Sequence, residues 1–286
     1  MVQKFELNQW FIVFNNANSF LKLTLFLVIW AVVWLPIAIP LARLVRWHPA
    51  APISIKQKLS LLTSLYLIAP FLVWWTSRIE GVSLVKYGLT WHVNLFQSIL
   101  FGLSLGIISI ILVYWLEGRF GWLQWELKNF SRLLKLGFPL LIVALFVGFI
   151  EEMIFRGVFF NFLREDFSLT IAAIISSLVF AVLHLIWERE NSLPQLPGLF
   201  LMGIVLVMAR LVDGDSLGLA IGLHSGWIFS LSCLDTTELY SRTEKSKKWL
   251  VGEEGKPLAS VAGIIVLLFC GMILRFMVEG KSLLVF

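Results

Sequence analysis

Apolar runs of near-constant length alternate with short polar connections along most of the chain. A helix needs about 20 mostly apolar residues to cross the hydrocarbon core of a bilayer. On that measure the pattern predicts eight spans, at 20–41, 59–76, 95–116, 136–163, 169–187, 196–211, 217–234 and 259–278. The second, sixth and seventh are short, which predicts tilted or partly re-entrant segments. Between the spans, 43–58 holds prolines and bases, 187–197 is polar with two prolines and predicts a loop, and 235–256 is the longest polar connection. The stretch 119–135 mixes Trp, Leu and Phe with Glu, Lys and Arg, and predicts an amphipathic helix lying in the interface before span four. No repeat and no second soluble domain is evident. The expectation is an all-α polytopic transmembrane bundle of about eight spans, with residues 1–286 forming a single integral membrane domain.

Composition agrees with that pattern. Of 286 residues 59% are hydrophobic and 14% charged, with a mean hydropathy of +0.87, whereas a soluble domain is about a quarter charged. The net charge of +5 needs no nucleic acid to explain it, because basic loops beside a membrane suffice. More Lys and Arg fall in the loops after spans one, three, five and seven than on the other side, which predicts both termini outside the cytoplasm. The apolar run after Lys4 and its Asn-rich stretch is too long for a signal-peptide core, so the first span is expected to direct insertion. Trp74, Trp75, Trp115, Trp122, Trp125 and Trp187 flank apolar runs as interfacial anchors do. Cys233 and Cys270 lie in apolar stretches without metal-ligand spacing and read as small buried hydrophobes.

One span breaks the pattern. Span four carries no charge from Leu136 to Ile150, then reads Glu151-Glu152-Met153-Ile154-Phe155-Arg156-Gly157. Each ionisable group at mid-bilayer costs at least about 2.5 kcal/mol, and such groups mark functional sites by default. An internal ion network holding the bundle together is the competing explanation. Glu152 and Arg156 are four residues apart, share a helix face and can pair. Glu151 is turned by about 100° from Glu152 and must face something else.

Span five ends with Phe180 and His184 on one face, and span seven holds His224 within Gly222-Leu223-His224-Ser225-Gly226-Trp227. A lone histidine near a helix end is more often a packing or interface residue than a catalytic one, and His48 and His92 sit in loops. Depth, however, links the three groups. Spans four and five meet near Asp166, and span seven begins on that side near Asp215. Measured from there at 1.5 Å per residue, Glu151, His184 and His224 lie roughly 14–26 Å deep, and tilt narrows the difference.

A carboxylate and two imidazoles in a dry pocket suit amide hydrolysis, with the glutamate as general base and the histidines holding water and stabilising an oxyanion. Two His and one Glu are also a zinc arrangement, although HExxH and GxSxG are both absent. Asp213 and Asp215 flank Gly214 and read as turn residues. A non-catalytic membrane scaffold and a proton-coupled transporter are the competing functions. A transporter calls for a second set of midplane charges in a related half, and spans one to three carry no acidic residue or histidine in their interiors.

EExxxR in one span, FxxxH in the next and a histidine in a later one resemble the CPBP family, which comprises CAAX prenyl endopeptidases and bacteriocin-processing or immunity proteins and is also called the Abi family. The matching positions are Glu151, Glu152 and Arg156, then Phe180 and His184, then His224, and the resemblance covers about 138–234. It implies an intramembrane peptidase whose catalytic core helices, 136–234 here, sit in a bundle of about eight. Glu151 would activate water, His184 and His224 would bind that water and the substrate carbonyl, and Glu152, Arg156 and Phe180 would orient the site or bind substrate. The resemblance implies no metal cofactor, zinc belonging to an older view of the family. The implied partners are a membrane-embedded or lipidated peptide and the bilayer. An Abi-type immunity protein is its non-catalytic alternative. Relatives with CAAX activity often carry Asn four residues after the third-motif His. Here that position is Ile228, and Ser225 is a candidate substitute donor.

Overall fold

The computed structural model of the chain describes residues 14–48, 51, 53–90, 93–187, 189–252 and 256–283; the segment around Lys4 and His92 lie outside them. Its long helices are α1 (Ser19–Leu44), α2 (Ile55–Glu80), α3 (Val93–Arg119) and α4 (Phe130–Glu152). A seven-residue π-helical turn, Met153–Phe159, joins α4 to α5 (Phe160–Asp166). Then come α6 (Leu169–Leu183), α7 (Leu196–Val212), α8 (Gly218–Thr236) and α9 (Val261–Leu283). With α4 and α5 counted as one rod, these are eight rods at the eight expected places.

Six helical segments among the described residues are long and apolar enough to cross a membrane. The two that fall short do so for different reasons. Helix α9 qualifies only as a shorter apolar helix over Val261–Met277. Helix α8 is diluted by Gly, Ser and His because it faces protein, with every residue from Gly218 to Trp227 buried. Exposed Phe, Leu, Ile and Val side chains cover α1, α3 and α4, as expected of surfaces that meet lipid, and the protein is an integral, multi-pass membrane protein.

Local sequence explains the helix ends. Asn18 and Ser168 cap α1 and α6 by accepting the Leu21 and Ile171 amides. Ser54 and Gln57 form a capping box at the start of α2, which ends on Gly81 in the left-handed region. The second span is therefore a full 26-residue helix rather than a short one. Asp213 accepts from Ser98 and from the Leu219 amide, a cap on α8 that fits its reading as a turn residue.

Two connections differ from expectation. The stretch 119–135 is not an interfacial amphipathic helix. Residues Leu123–Trp125 form strand β1, paired antiparallel with β2 (Tyr240–Arg242), and a short 3-10 turn then leads into α4. The 235–256 connection supplies strand partners for this backbone, and Arg242 pairs with the buried Glu117 at the end of α3. The 187–197 stretch is not an open loop either. It makes two helical turns, Arg189–Ser192 and Leu193–Gln195, with Pro194 in the first turn of the second, where a missing amide costs nothing.

Helix α8 runs through the centre of the bundle, packed on α3 and α4. Glycines let it approach α3 backbone to backbone. A Cβ on Gly222 or Gly226 would strike the Ile99 or Leu103 carbonyl, and one on Gly102 or Gly106 the Leu219 or Leu223 carbonyl. This is small-residue packing of the kind membrane helices use in place of a hydrophobic driving force. His224 is two residues from Gly222, hence turned by about 200° from the α3 contact and toward α4.

Candidate active site

The glutamate pair occupies the last two residues of α4, where the helix widens into the π turn. Such turns recur at functional sites because they re-aim side chains and free backbone groups. Arg210, in α7, bonds to the Arg156 carbonyl within that turn. It also donates to the Lys86 carbonyl at 3.3 Å and to Asn161 Oδ1 at 3.4 Å. Ser176 of α6 donates to the Phe155 carbonyl at 2.9 Å. The turn is thus held from α6 and α7.

Glu152 is fully buried and closed in. Its Oε1 accepts from Arg156 Nη1 at 2.9 Å and faces His224 Nδ1 at 2.7 Å. The guanidinium of Arg156, also fully buried, lies 4.3 Å from the centre of the Phe180 ring, a cation–π contact in a desolvated setting. Phe180 packs edge-on against both His184 and His224, with centroids 4.6 and 6.0 Å away. It packs the guanidinium against its face and both imidazoles against its edges.

Glu151 is placed differently. One oxygen, Oε1, accepts a hydrogen bond from the Tyr66 hydroxyl of α2. The other, Oε2, lies 3.7 Å from His224 Nε2. Glu151 and His184 together line two cavities. The larger, of about 550 Å³, opens between α1, α2 and α6, and its walls include Trp30, Trp34, Leu62, Leu65, Tyr66 and Lys58. The smaller, of about 270 Å³, is almost wholly apolar and also receives His224, Trp227 and Ile228.

All six residues expected at the site are therefore brought together. His224 meets both glutamates; His184 shares both cavities with Glu151 but spends its Nδ1 on the Phe180 carbonyl at 2.8 Å. Ile228 faces the smaller cavity, whereas Ser225 is fully buried against Gly148 of α4 and lines neither, so it is no substitute donor. Among the described residues, no group of three or more His, Cys, Asp or Glu is arranged to hold a metal ion.

Sequence reasoning missed Tyr66 and Arg210. Arg210 carried a readable signal, a charge inside the apolar run of span six. Tyr66 carried little, since a tyrosine in an apolar helix is ordinary.

Residues 134–230 match the family model described as type II CAAX prenyl endopeptidase Rce1-like. Neither the curated proteins nor the solved structures include a match to the chain. The matched segment contains α4 from Leu134 onward, the π turn, α5 to α7 and α8 as far as Ser230. Tyr66 and the whole of α1 to α3 lie outside it.

Proposed function

We propose that the chain, whose residues 134–230 match the Rce1-like family model, is a CAAX-type intramembrane protease of the CPBP family and that Glu151 is its general base, as in a glutamate-type endopeptidase. The observation that carries this reading is the position of Glu151. It is the carboxylate shared by both cavities, with a histidine Nε2 facing its outer oxygen, while its neighbour is consumed by Arg156 and His224.

The histidines follow from their other partners. A carbonyl and a carboxylate oxygen only accept, so the Nδ1 atoms of His184 and His224 carry hydrogen. In the neutral imidazole each Nε2 is then an acceptor. A water donating one hydrogen to Glu151 Oε2 and the other to a histidine Nε2 turns its lone pairs away from both, toward a substrate carbonyl. Glu151 takes the water proton as the oxygen bonds to the carbonyl carbon, then passes that proton to the departing amine as the C–N bond breaks. Glu152, Arg156 and Phe180 hold His224 and the π turn in place. The scissile residue's apolar parts fill the smaller cavity, and the larger one admits the peptide.

The test is cleavage of a fluorogenic prenylated CAAX peptide by the full-length protein in vesicles. Glu151→Gln lowers turnover by about 10⁴-fold, the upper end of what one general base contributes, and EDTA leaves the wild type active. A wild type that leaves the reporter intact, or a variant that retains turnover, overturns the assignment; loss with EDTA and recovery with zinc overturns the metal-free base.

A further inference from the structure

A hydrolytic site needs a donor for the oxygen that becomes negative as water adds to the carbonyl, and such a donor in a dry site is worth far more than in water. The groups closest to Glu151 are poorly supplied with one. His184 and His224 spend their Nδ1–H on the Phe180 carbonyl and on Glu152. Trp227, which shares the smaller cavity, spends its indole N–H on Ser109 Oγ at 3.1 Å. Ile228 faces the same space with no polar atom.

Tyr66 is the exception. Its hydroxyl touches Glu151 itself, it is buried, and it lines the larger cavity together with Glu151 and His184. We propose that Tyr66 supplies the oxyanion donor of this enzyme, from a helix outside the family core. The proposal rests on Glu151 being the base.

The arrangement couples donor to base. While Glu151 is ionised, its charge holds the Tyr66 O–H in a charge-assisted hydrogen bond. When Glu151 takes the proton of the attacking water, that charge disappears and the hold on Tyr66 weakens. At the same moment the carbonyl oxygen gains the negative charge. The O–H then turns to the stronger acceptor, keeping its own proton throughout. Turning is a rotation about the C–O bond and a small shift of the ring.

The backbone behind Tyr66 is built to set its position. Pro70 has no amide to give to the Tyr66 carbonyl, so α2 is weakened at that turn. The indole of Trp30 in α1 braces the same turn from outside by donating to the Leu65 carbonyl at 3.0 Å, and Trp34 donates to Ser64 Oγ at 2.9 Å. Helices α1 and α2 thereby deliver a hydroxyl to a base carried by α4.

Tyr66→Phe, assayed on the prenylated CAAX reporter beside Glu151→Gln, is expected to lower kcat by about 10²–10³-fold, the loss typical of one oxyanion donor, with KM changed by less than about threefold. A peptide trifluoromethyl ketone, which binds as a tetrahedral adduct, loses affinity for Tyr66→Phe in parallel with kcat. Should the Phe variant fail to fold, difluorotyrosine at position 66 keeps the ring and hydroxyl and makes the O–H a stronger donor, and kcat then departs from that of the wild type. Wild-type kcat in the Phe variant, a raised KM at unchanged kcat, or a kcat indifferent to fluorination each overturns the role of Tyr66. Turnover retained in Glu151→Gln overturns the underlying reading instead, so the two failures are told apart.

Discussion

Glu151 and Glu152 are adjacent in sequence and occupy opposite kinds of space. On the Glu152 side everything is closed: carboxylate, guanidinium and Phe180 are fully buried and locked to one another. On the Glu151 side two cavities converge and the partners are Tyr66 and His224, from two other helices. A rotation of about 100° between successive helical residues separates the two settings. The difference teaches how a membrane helix can carry two carboxylates. On the function proposed above, one is paired as structure and fixes the helix's neighbours, and the other serves the chemistry.

The same substitution made at each position is the strongest way to break this comparison. Glu151→Gln, as above, removes turnover, and its thermal unfolding midpoint in detergent stays close to that of the wild type. Glu152→Gln leaves the buried Arg156 charge without its bonded counter-charge, and breaking a buried pair in this way costs about 3–5 kcal/mol. Its unfolding midpoint falls steeply, and activity falls with the folded fraction. Equal stability losses in the two variants would erase the distinction between a structural and a chemical glutamate.

The aromatic ring that the two sides share is a subtler target. Phe180 is fully buried, with Arg156 above its ring and both imidazoles at its edges. Phe180→Leu keeps most of the volume but removes the π face, a shape change that costs about 1–3 kcal/mol. Turnover drops further than stability alone accounts for, because both histidines lose the surface that fixes their ring planes. Comparing kcat at a temperature where the variant is fully folded checks this, and an unchanged kcat there would show that the imidazoles are held by their Nδ1 bonds alone.

Much of this was legible in the sequence, for reasons that also mark where legibility ended. The eight rods follow from apolar run length, the glutamate pair and Arg156 stand out because ionisable groups are costly in hydrocarbon, and Phe180, His184 and His224 stand out through the FxxxH and third-motif patterns. Helix depth allowed Glu151 and both histidines to meet within the membrane. The 119–135 segment misled because its alternation of aromatic and charged residues satisfies an amphipathic helix and a strand equally, and only the distant Tyr240–Arg242 partner decides between them. The π turn after Glu152 is held by Arg210, 54 residues from Arg156, which claims the Arg156 carbonyl. Tyr66 was invisible for a related reason. Its role is set by contact across helices rather than by any local rule.

That contact offers the finest test of the comparison, because it reaches the open side from helix α1. Trp30 holds α2 beside Tyr66 through one hydrogen bond to the Leu65 carbonyl, in a turn already weakened by Pro70. Trp30→Phe preserves an aromatic wall in the larger cavity and deletes the indole N–H together with part of the ring. The expected loss of stability is about 1 kcal/mol, the worth of one net hydrogen bond. If Tyr66 acts at the reacting oxygen, a small drift of its backbone lengthens a bond that counts only in the transition state, so kcat falls by a few-fold, at roughly constant KM, and Trp30→Phe added to Tyr66→Phe costs nothing more. If the open side depended on α4, α6 and α8 alone, Trp30→Phe would lose the same activity whether or not Tyr66 kept its hydroxyl. Kinetics of the two single variants and the double variant decide between these outcomes, because coupling between neighbours shows as a failure of additivity.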